Sequence, residues 1–233
     1  TKVEPFMDDF NDGNHTGWTT AGGGSWSAAN TYLEATGETG WSRIYKSTTD
    51  ADNECVFRYR YDDTTAPGSV YVYPRYADGN NYIYIGIFPS QMRLGKVVSG
   101  TNTVLQYNNS ATSSEDTWYN VRIVADGASV KAWRWADGQL PTQVLSSSNT
   151  SITSTTNYRF EVGPGGDVDF DDIRIYVDDL SNTTTFAVNN ANELTTMTDF
   201  NGTTSFGFDA WGRMTSKARG SYEAEYEYTQ QFY

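Results

Sequence analysis

The chain has very little of the residue types on which many catalytic and cross-linked sites depend. It has one cysteine, Cys55, and one histidine, His15, among 233 residues. A single cysteine excludes an internal disulfide framework. Because Cys55 lies in an alternating strand pattern, we expect it in the core. A Cys/His catalytic pair needs a third group to orient the imidazole, and the Gly/Asn-rich surroundings of His15 supply none.

Long apolar runs are also absent. No stretch approaches the roughly 20 apolar residues of a bilayer-spanning helix, so we expect no membrane partner. No segment repeats apolar residues at helical spacing, and Ile, Leu, Val and Met are sparse. By contrast, aromatic residues make up 15% of the chain, with 17 tyrosines, and there are 21 glycines. This composition predicts an all-β fold, in a chain long enough for a sizeable core.

Basic residues are outnumbered by acidic ones. The chain has 16 Lys and Arg against 29 Asp and Glu, a net charge of −13. Because such a protein repels polyphosphates, we expect no nucleic-acid partner. The charge is uneven, since residues 54–135 hold eight basic and seven acidic side chains, a balance of +1, while the remainder carries −14. An anionic ligand is therefore best tolerated by the central segment.

Short alternating segments separated by turns fill residues 5 to 176. The turns Asp78-Gly79-Asn80-Asn81 and Asp126-Gly127 each join two such segments, as in β-hairpins. This spacing predicts a two-sheet jelly-roll sandwich. The clearest predicted strands are Cys55–Tyr61, Val70–Tyr76, Tyr82–Phe88, Trp118–Ala125 and Ser129–Trp135.

Alternation along these strands assigns their side chains to two faces. Ile83, Ile85 and Ile87 share one side and should face the core, so Tyr82 and Tyr84 face outward. The same parity, applied to the other strands, collects arginine and aromatic side chains on one outer sheet surface. The ligand-binding residues predicted in this way are Arg58, Arg60, Tyr71, Tyr73, Arg75, Tyr82, Tyr84, Arg93, Trp133 and Trp135.

A surface of this composition predicts the binding of a polysaccharide. Aromatic rings are flat apolar platforms for the C–H faces of sugars, with burial of ~150–250 Å² per side chain. Arginine adds bidentate recognition of carboxylates and other oxyanions, so an anionic polymer, uronate or sulfated, is favoured. The alternative is a solvated outer face on which arginine stems cover tyrosine rings.

Carboxylates cluster in two segments that look like the first and last strands of one sandwich, Asp8–Gly13 and Phe170–Tyr176. Crowded carboxylates repel each other unless a cation holds them, and oxygen ligands suit calcium. We therefore predict one structural Ca²⁺ ion, bound by Asp9, Asn11, Asp12 and Asp171. The alternative is a solvated acidic edge that discourages strand pairing.

Several motifs between residues 5 and 176 carry a family resemblance. They are Phe6-x-Asp8-Asp9-Phe10, Gly17-Trp18, Gly24-Ser25-Trp26-Ser27, Tyr32-Leu33-Glu34, the run from Arg75 to Tyr82, and the closing Phe170–Tyr176. The set resembles the concanavalin A-like (LamG-type) jelly rolls that occur as carbohydrate-binding modules. The resemblance implies a concave ligand face and, often, calcium at the edge of the first strand. Because this family also contains hydrolases, the fold alone does not separate an enzyme from a binding module.

The acidic run Asp167–Asp172 provides an enzymatic alternative. Its carboxylates at relative positions one, three and six resemble the Glu-x-Asp-x-x-Glu of laminarinase-type glucanases, in which two carboxylates flank a glycosidic bond. Every Glu of that motif is Asp here, and the shorter side chain has less reach. We expect no catalytic residue, and the candidates for a glycan-cleaving enzyme would be Asp169 and Asp172.

A 20-residue repeat follows Tyr176. The segment Phe186–Thr195 recurs as Phe206–Thr215, and a third copy begins at Tyr226. A fixed period of this size marks stacked hairpins. The unit resembles the tyrosine-aspartate (YD) repeats of Rhs proteins, which build β shells at bacterial surfaces, although Asn192-Glu193 replaces Gly-Arg in the first copy. The alternative is an ordinary two-hairpin tail folded onto the sandwich.

The sequence thus predicts two domains, a concanavalin A-like jelly-roll carbohydrate-binding domain over residues 1–176 and partial YD (Rhs-type) β-repeats over residues 181–233. The predicted function is non-catalytic polysaccharide binding by a monomeric part of a longer bacterial protein, extracellular or at the cell surface. The start of the chain, without a signal peptide, is typical of a mature fragment. A glycan-cleaving enzyme of the same fold and a surface adhesion domain remain as alternatives.

Overall fold

Two compact units make up the chain in the computed structural model, Lys2–Asp178 and a second one within Asp179–Tyr233. The structure describes residues 2–36, 40–47, 50–64, 68–148, 152, 157–178, 185–189, 194–199, 202–209, 213–219 and 222–225. The regular elements in these residues are β-strands, and no helix long and apolar enough to cross a membrane occurs among them. The division at Asp178 lies between the two predicted domains.

The first unit is an all-β sandwich of two antiparallel sheets, as the sequence predicted. Sheet A has eight strands: β1 (Lys2–Asp8), β3 (Ser25–Ser27), β4 (Leu33–Thr36), β6 (Asn53–Tyr61), β11 (Tyr119–Asp126), β12 (Ser129–Ala136), β13 (Thr142–Ser147) and β15 (Asp167–Asp178). Sheet B has seven: β2 (Thr19–Gly22), β5 (Ser42–Ser47), β7 (Val70–Asp78), β8 (Asn81–Phe88), β9 (Gln91–Val98), β10 (Thr101–Asn108) and β14 (Asn157–Val162).

Both sheets contain pairs of neighbouring strands that are far apart in the sequence. In sheet A the spatial order is β13-β12-β11-β6-β15-β4-β3, and β1 pairs with the second half of β15. Asp8 lies opposite Ile173, so the first and last strands of the sandwich are neighbours, as predicted. In sheet B the order is β10-β9-β8-β7-β14-β5-β2, which places the long hairpins of the central segment beside the late strand β14.

The core lies between the two sheets and follows the alternation of the strands. Ile83 and Ile85 of sheet B are fully buried, as predicted. Phe160 of sheet B meets two rings of sheet A nearly edge to face, Phe57 at a centroid distance of 5.1 Å and Phe170 at 5.5 Å. Such ring pairs stabilise a core by about 0.5–1.5 kcal/mol beyond the burial of their area.

Cys55 is a core residue, as the strand pattern predicted. Its side chain is fully buried in β6, and burial raises the pKa of the thiol far above its usual range. A thiol that stays protonated and inaccessible is neither a nucleophile nor a metal ligand.

The strand β7 departs from simple alternation at a point that matters for the predicted site. Val72 pairs with Ile85 and Arg75 with Ile83, so β7 contains one extra residue over this stretch. Pro74 lies in the extra segment, where its missing N–H costs no ladder hydrogen bond. The bulge reverses the parity of the strand, so Arg75 is fully buried rather than outward-facing.

The second unit contains sheet C, a five-stranded antiparallel meander. Its strands are β16 (Thr185–Val188), β17 (Leu194–Asp199), β18 (Gly202–Phe208), β19 (Met214–Arg219) and β20 (Tyr222–Glu225). The strands β17 and β19 begin 20 residues apart, so one repeat corresponds to one hairpin. At the tip between β18 and β19, the Nε of Arg213 donates to Oδ2 of Asp209 at 2.7 Å. The third copy, from Tyr226, lies outside the described residues, and the YD assignment stays a prediction.

Candidate ligand-binding groove

The outer face of sheet B forms a groove of about 460 Å³, which we call the sheet B groove. Strand alternation builds it: Tyr82 and Tyr84 of β8 project away from the core, and on β14 Arg159 and Glu161 project opposite the buried Phe160. The groove crosses the strands from β10 to β5. The residues that line it are Trp41, Arg43, Tyr71, Tyr73, Tyr76, Gly79, Tyr82, Tyr84, Arg93, Asn102, Arg159 and Glu161.

Five tyrosine rings form the floor of the groove. The ring centroids of Tyr73 and Tyr82 are 5.3 Å apart, those of Tyr71 and Tyr84 are 5.6 Å apart, and Tyr76 stacks on Tyr82 at 5.9 Å. Burial raises the pKa of Tyr73, Tyr82 and Tyr84, so these hydroxyls remain protonated at neutral pH. The floor therefore combines flat apolar platforms with neutral hydroxyl groups.

Glu161 is the polar centre of the groove. Its carboxylate accepts a hydrogen bond from Nε of Arg43 at 2.8 Å, from Nη2 of Arg159 at 2.7 Å and from the hydroxyl of Tyr73 at 2.6 Å. The guanidinium of Arg159 also lies over the rings of Tyr73 and Tyr76, at 5.0 and 4.8 Å. These contacts fix two arginines in place and leave Glu161 saturated with donors, so it is unsuited to act as a general base.

Arg93 supplies the third positive charge. Its guanidinium lies over the rings of Phe88, Tyr71 and Tyr84, and it donates a hydrogen bond to the Tyr71 hydroxyl. No carboxylate in the described part of the chain lies within ion-pair distance of Arg93. Its charge is therefore available to a ligand.

The lining of the groove carries three arginines and one glutamate, a local charge of +2 in a chain of net charge −13. Charge of one sign in a concave site raises the local concentration of ligands of the opposite sign. Half of the ten predicted ligand-binding residues meet in this groove: Tyr71, Tyr73, Tyr82, Tyr84 and Arg93.

Arg75 lies elsewhere, and its predicted place on the binding surface is corrected by the bulge in β7. Its side chain donates to the carbonyl oxygens of Ala51, Gly127 and Ile152 at 2.7 to 3.0 Å and to Oδ1 of Asp52 at 2.7 Å. Arg75 thus ties together the loops at one end of the sandwich and is inaccessible to a ligand.

The remaining predicted residues lie on the outer face of sheet A, opposite the groove: Arg58, Arg60, Trp133 and Trp135. Strand alternation identified these four side chains as outward-facing but did not reveal which sheet each strand joins. The single predicted binding surface is therefore divided between the outer faces of the two sheets. Nη2 of Arg58 lies 2.7 Å from Oδ2 of Asp171, and Arg60 binds the carboxylate of Asp169. Both arginines are thus neutralised by their own strand neighbours.

Sequence reasoning missed several groove residues, notably Trp41, Arg43, Arg159 and Glu161. A signal was present in the segment Asn157–Val162, where aromatic or aliphatic residues alternate with Arg159 and Glu161. That alternation predicts a strand with a charged outer face. Its adjacency to the tyrosine hairpin arises from long-range pairing between β14 and β7, which local pattern does not reveal.

The enzymatic alternative finds little support in the position of Asp169. This side chain is fully buried, its Oδ2 accepts hydrogen bonds from Arg60, and its partner candidate Asp172 lies at a bulge with a φ of 50°. Burial raises the pKa of Asp169 to about 7, with Arg60 lowering it and Asp62 raising it. A carboxyl enclosed in this way does not reach a glycosidic bond.

The raised pKa of Asp169 predicts a pH-dependent stability. The folded-state pKa of about 7 exceeds the ordinary value of 3.8. The protonated carboxyl therefore contributes stability that is fully present below pH 3.8 and is lost as the pH rises through 7. Asp169→Asn keeps an acceptor for Arg60 and imitates the protonated form. We expect its melting temperature at pH 8 to exceed that of the wild type by several degrees, with the two curves converging toward pH 4. For the control Asp137→Asn, at an exposed carboxylate, we expect no such gain in melting temperature at pH 8.

In the described structure, the residues predicted to bind calcium make other contacts. Asp171 pairs with Arg58, and hydrogen bonds from the side chain and backbone of Asn11 lower the pKa of Asp9. Oδ1 of Asp12 accepts from the backbone N–H of Asn14. Among the described residues, no group of three or more His, Cys, Asp or Glu side chains is arranged to hold a metal. Calcium remains a prediction from the sequence.

Chelation tests that prediction. If these residues bind calcium as the sequence predicts, exhaustive dialysis against a chelator should lower the melting temperature, and an unchanged melting temperature would contradict the prediction. An ion bound only to the native state at 100 times its dissociation constant adds ~2.7 kcal/mol, which corresponds to a change of roughly 5–10 °C. A fall of that size, reversed by calcium but not by magnesium, would show that the carboxylates rearrange around an ion.

No protein-family model matches the chain, and no curated protein has significant sequence similarity to it. Solved structures do resemble it. The carbohydrate-binding module CBM66 from Bacillus subtilis is 17% identical over 70% of this chain and 96% of that module, with a TM-score of 0.56. The exoplasmic/lumenal domain of VIP36, bound to Ca²⁺ and Man3GlcNAc, is 10% identical over 68% of this chain and 83% of that domain, with a TM-score of 0.55.

An enzyme also resembles the chain over part of its length. The GH43 protein BlXynB from Bacillus licheniformis is 12% identical over 74% of this chain, with a TM-score of 0.58, but the match covers only 39% of that protein. At these identities the likeness concerns the fold. The chain shares a jelly-roll β-sandwich with this carbohydrate-binding module, with the VIP36 domain and with part of the GH43 protein.

Proposed function

We propose that the sandwich is a non-catalytic carbohydrate-binding module and that an anionic polysaccharide, carrying uronate or sulfate groups, lies in the sheet B groove. The observation that carries this proposal is the lining of the groove, in which five tyrosines and a tryptophan surround three arginines and one carboxylate, and Arg93 has no acidic partner among the residues that the structure describes. Tyrosine and tryptophan rings pack against sugar C–H faces, and guanidinium groups bind carboxylate or sulfate oxygens.

Two further observations support a binding role. Solved structures of the same fold include a carbohydrate-binding module and a domain with a bound mannose-containing glycan. The only carboxylate among the described groove residues, Glu161, is occupied by three donors, and Asp169 is buried on the other sheet. Neither carboxylate is placed to act on a bound sugar.

The proposal includes an extracellular or cell-surface location in a bacterium, where polysaccharides are encountered. In it the module is monomeric and belongs to a longer protein, and sheet C is a short piece of a YD-type (Rhs-type) repeat array. The 20-residue hairpin period of sheet C and the Asp209–Arg213 pair at its turn support this reading of the second unit.

Affinity electrophoresis tests the proposed function. We expect the native protein to be retarded by alginate or carrageenan and less by a neutral glucan. Arg93→Ala should reduce this retardation about tenfold or more, because Arg93 has no carboxylate partner of its own and its replacement leaves no acid unpaired. The matched control is Arg122→Ala, which removes a partly exposed arginine from the outer face of sheet A.

Three outcomes would contradict the proposal. An equal loss of retardation in Arg93→Ala and Arg122→Ala would mean that the polysaccharide is attracted by the overall charge of the protein and not by the groove. Retention by neutral glucan alone would remove the role given to the arginines. Release of reducing ends from any of these polymers would favour the enzymatic alternative.

A further inference from the structure

The sheet B groove does not end at β5. A second cavity of about 230 Å³ adjoins it and shares three of its lining residues, Arg43, Tyr76 and Arg159. The other residues of this second cavity are Ala21, Tyr45 and Asn157. The shared side chains form the junction between the two cavities, so one ligand that passes Arg159 enters both.

The two cavities together cross the whole sheet. The groove begins beside Asn102 on β10, and the second cavity reaches Ala21 on β2, the strands at the two edges of sheet B. Neighbouring strands are ~4.8 Å apart, so seven strands give a path of roughly 29 Å. A path of this length exceeds a single sugar ring several times over.

Both ends of this path are open. The strand β2 is exposed along its length and carries only small side chains, Thr19-Thr20-Ala21-Gly22. At the other edge, Asn102 is exposed near the start of β10. Within the described residues nothing at either edge closes the path as a blind pocket would.

Charge and aromatic groups recur along the path. Arg93 on β9 lies three strands away from Arg159 on β14, a separation of roughly 14 Å by strand spacing, and Arg43 on β5 is one strand further. Tyr45 shares the outward parity of Arg43 on β5 and lies opposite Arg159 in the pairing of β5 with β14. Asn157 lies two residues before Arg159 on β14, and its Oδ1 accepts from the hydroxyl of Ser47 at 3.3 Å. A ligand that uses all of these groups carries anionic groups at intervals along a chain.

We infer that the site takes an interior stretch of an anionic polysaccharide laid across all seven strands of sheet B, with Tyr45 and Asn157 lining a subsite beside the junction at Arg43 and Arg159. This inference rests on the proposed function, because it concerns the same groove. It excludes recognition of a chain end, which needs a closed terminus to the site.

Calorimetry on the full chain with size-graded oligomers tests the inference. The probes are oligomannuronates of two to eight units from alginate and, in a parallel arm, oligomers of carrageenan. We expect affinity to rise about tenfold or more from the disaccharide to the hexasaccharide. Tyr45→Ala should weaken hexasaccharide binding about tenfold and leave disaccharide binding unchanged, because the short ligand occupies the arginine junction without needing the outer subsite.

The matched control is Tyr176→Ala, a partly exposed tyrosine on the outer face of sheet A, which should affect neither ligand. Stoichiometry on long alginate gives an independent readout, with several protein molecules expected per chain. One protein per chain regardless of its length, affinity that does not grow beyond the disaccharide, or equal effects of Tyr45→Ala on both ligands would each overturn the inference. Failure of every oligomer and polymer to bind would instead contradict the proposed function.

Discussion

Replacing Arg75 by alanine is expected to destabilise the sandwich by about 3–5 kcal/mol, a large part of the ~5–15 kcal/mol that stabilises a typical domain. The side chain is fully buried and makes four hydrogen bonds, to Asp52 and to the carbonyl groups of Ala51, Gly127 and Ile152. Alanine leaves these acceptors without their donor and leaves empty space where the buried side chain was. Urea unfolding followed by tryptophan fluorescence measures the loss.

The control for this prediction is Arg122→Ala. Its guanidinium is also bound to a carboxylate, Glu54, at 2.6 Å, but its side chain is 43% exposed, so less than about 1 kcal/mol should be lost. At temperatures where Arg75→Ala remains folded, glycan binding should match the wild type. An unfolding midpoint unchanged by Arg75→Ala would show that the loops do not depend on the Arg75 side chain. A loss of glycan binding in a folded Arg75→Ala variant would show that Arg75 contributes to the ligand site.

Arg75 also shows which side chains of β7 the local sequence pattern assigned to the correct face and which it did not. Alternation correctly placed Val70 and Val72 in the core and Tyr71 outside it, because the strand is regular to that point. The extra residue near Pro74 then exchanged the faces of Arg75 and Tyr76, before a second register shift between Tyr76 and Asp78. Proline within an apparent strand is the visible signal for such a bulge, although its effect on parity depends on the pairing with β8.

Local sequence pattern also did not predict which of the two sheets each strand joins. The hairpins were predictable because their turns lie beside their strands, as in Asp126-Gly127 between β11 and β12. The assignment of β6 and β12 to sheet A and of β7 and β8 to sheet B depends on long-range pairings, such as Arg58 with Asp171 and Val72 with Phe160. Two outward-facing arginine and aromatic sets look identical in sequence when they belong to opposite faces.

The same pairings determine the electrostatics of each face. On sheet A, β15 places Asp169 and Asp171 beside Arg60 and Arg58, so these charges cancel. On sheet B, Arg43 and Arg159 share Glu161, and Arg93 has no carboxylate partner among the described residues. The composition of the central segment predicted an anionic ligand, but the long-range partners decide which arginines remain available to it.

Salt should therefore weaken glycan binding steeply, and the effect should depend on Arg93. Between 0.1 M and 1 M NaCl the Debye length falls from ~10 Å to ~3 Å, and counterions released from a charged chain further oppose the complex. We expect the affinity for alginate to fall about tenfold or more over this range. In Arg93→Ala the affinity should be lower at 0.1 M and the slope against salt flatter, because one guanidinium no longer displaces counterions.

The aromatic contribution should respond differently. Trp41 lines the groove, is 36% exposed and lies against Tyr71 at a centroid distance of 5.8 Å, so it can stack on a sugar without carrying charge. Trp41→Ala should weaken binding by a similar factor at every salt concentration, since apolar contact is not screened. Trp133→Ala, on the opposite sheet, should leave both affinity and slope unchanged. Binding indifferent to salt, or a slope unaltered by Arg93→Ala, would point to a neutral glycan held by the tyrosines alone.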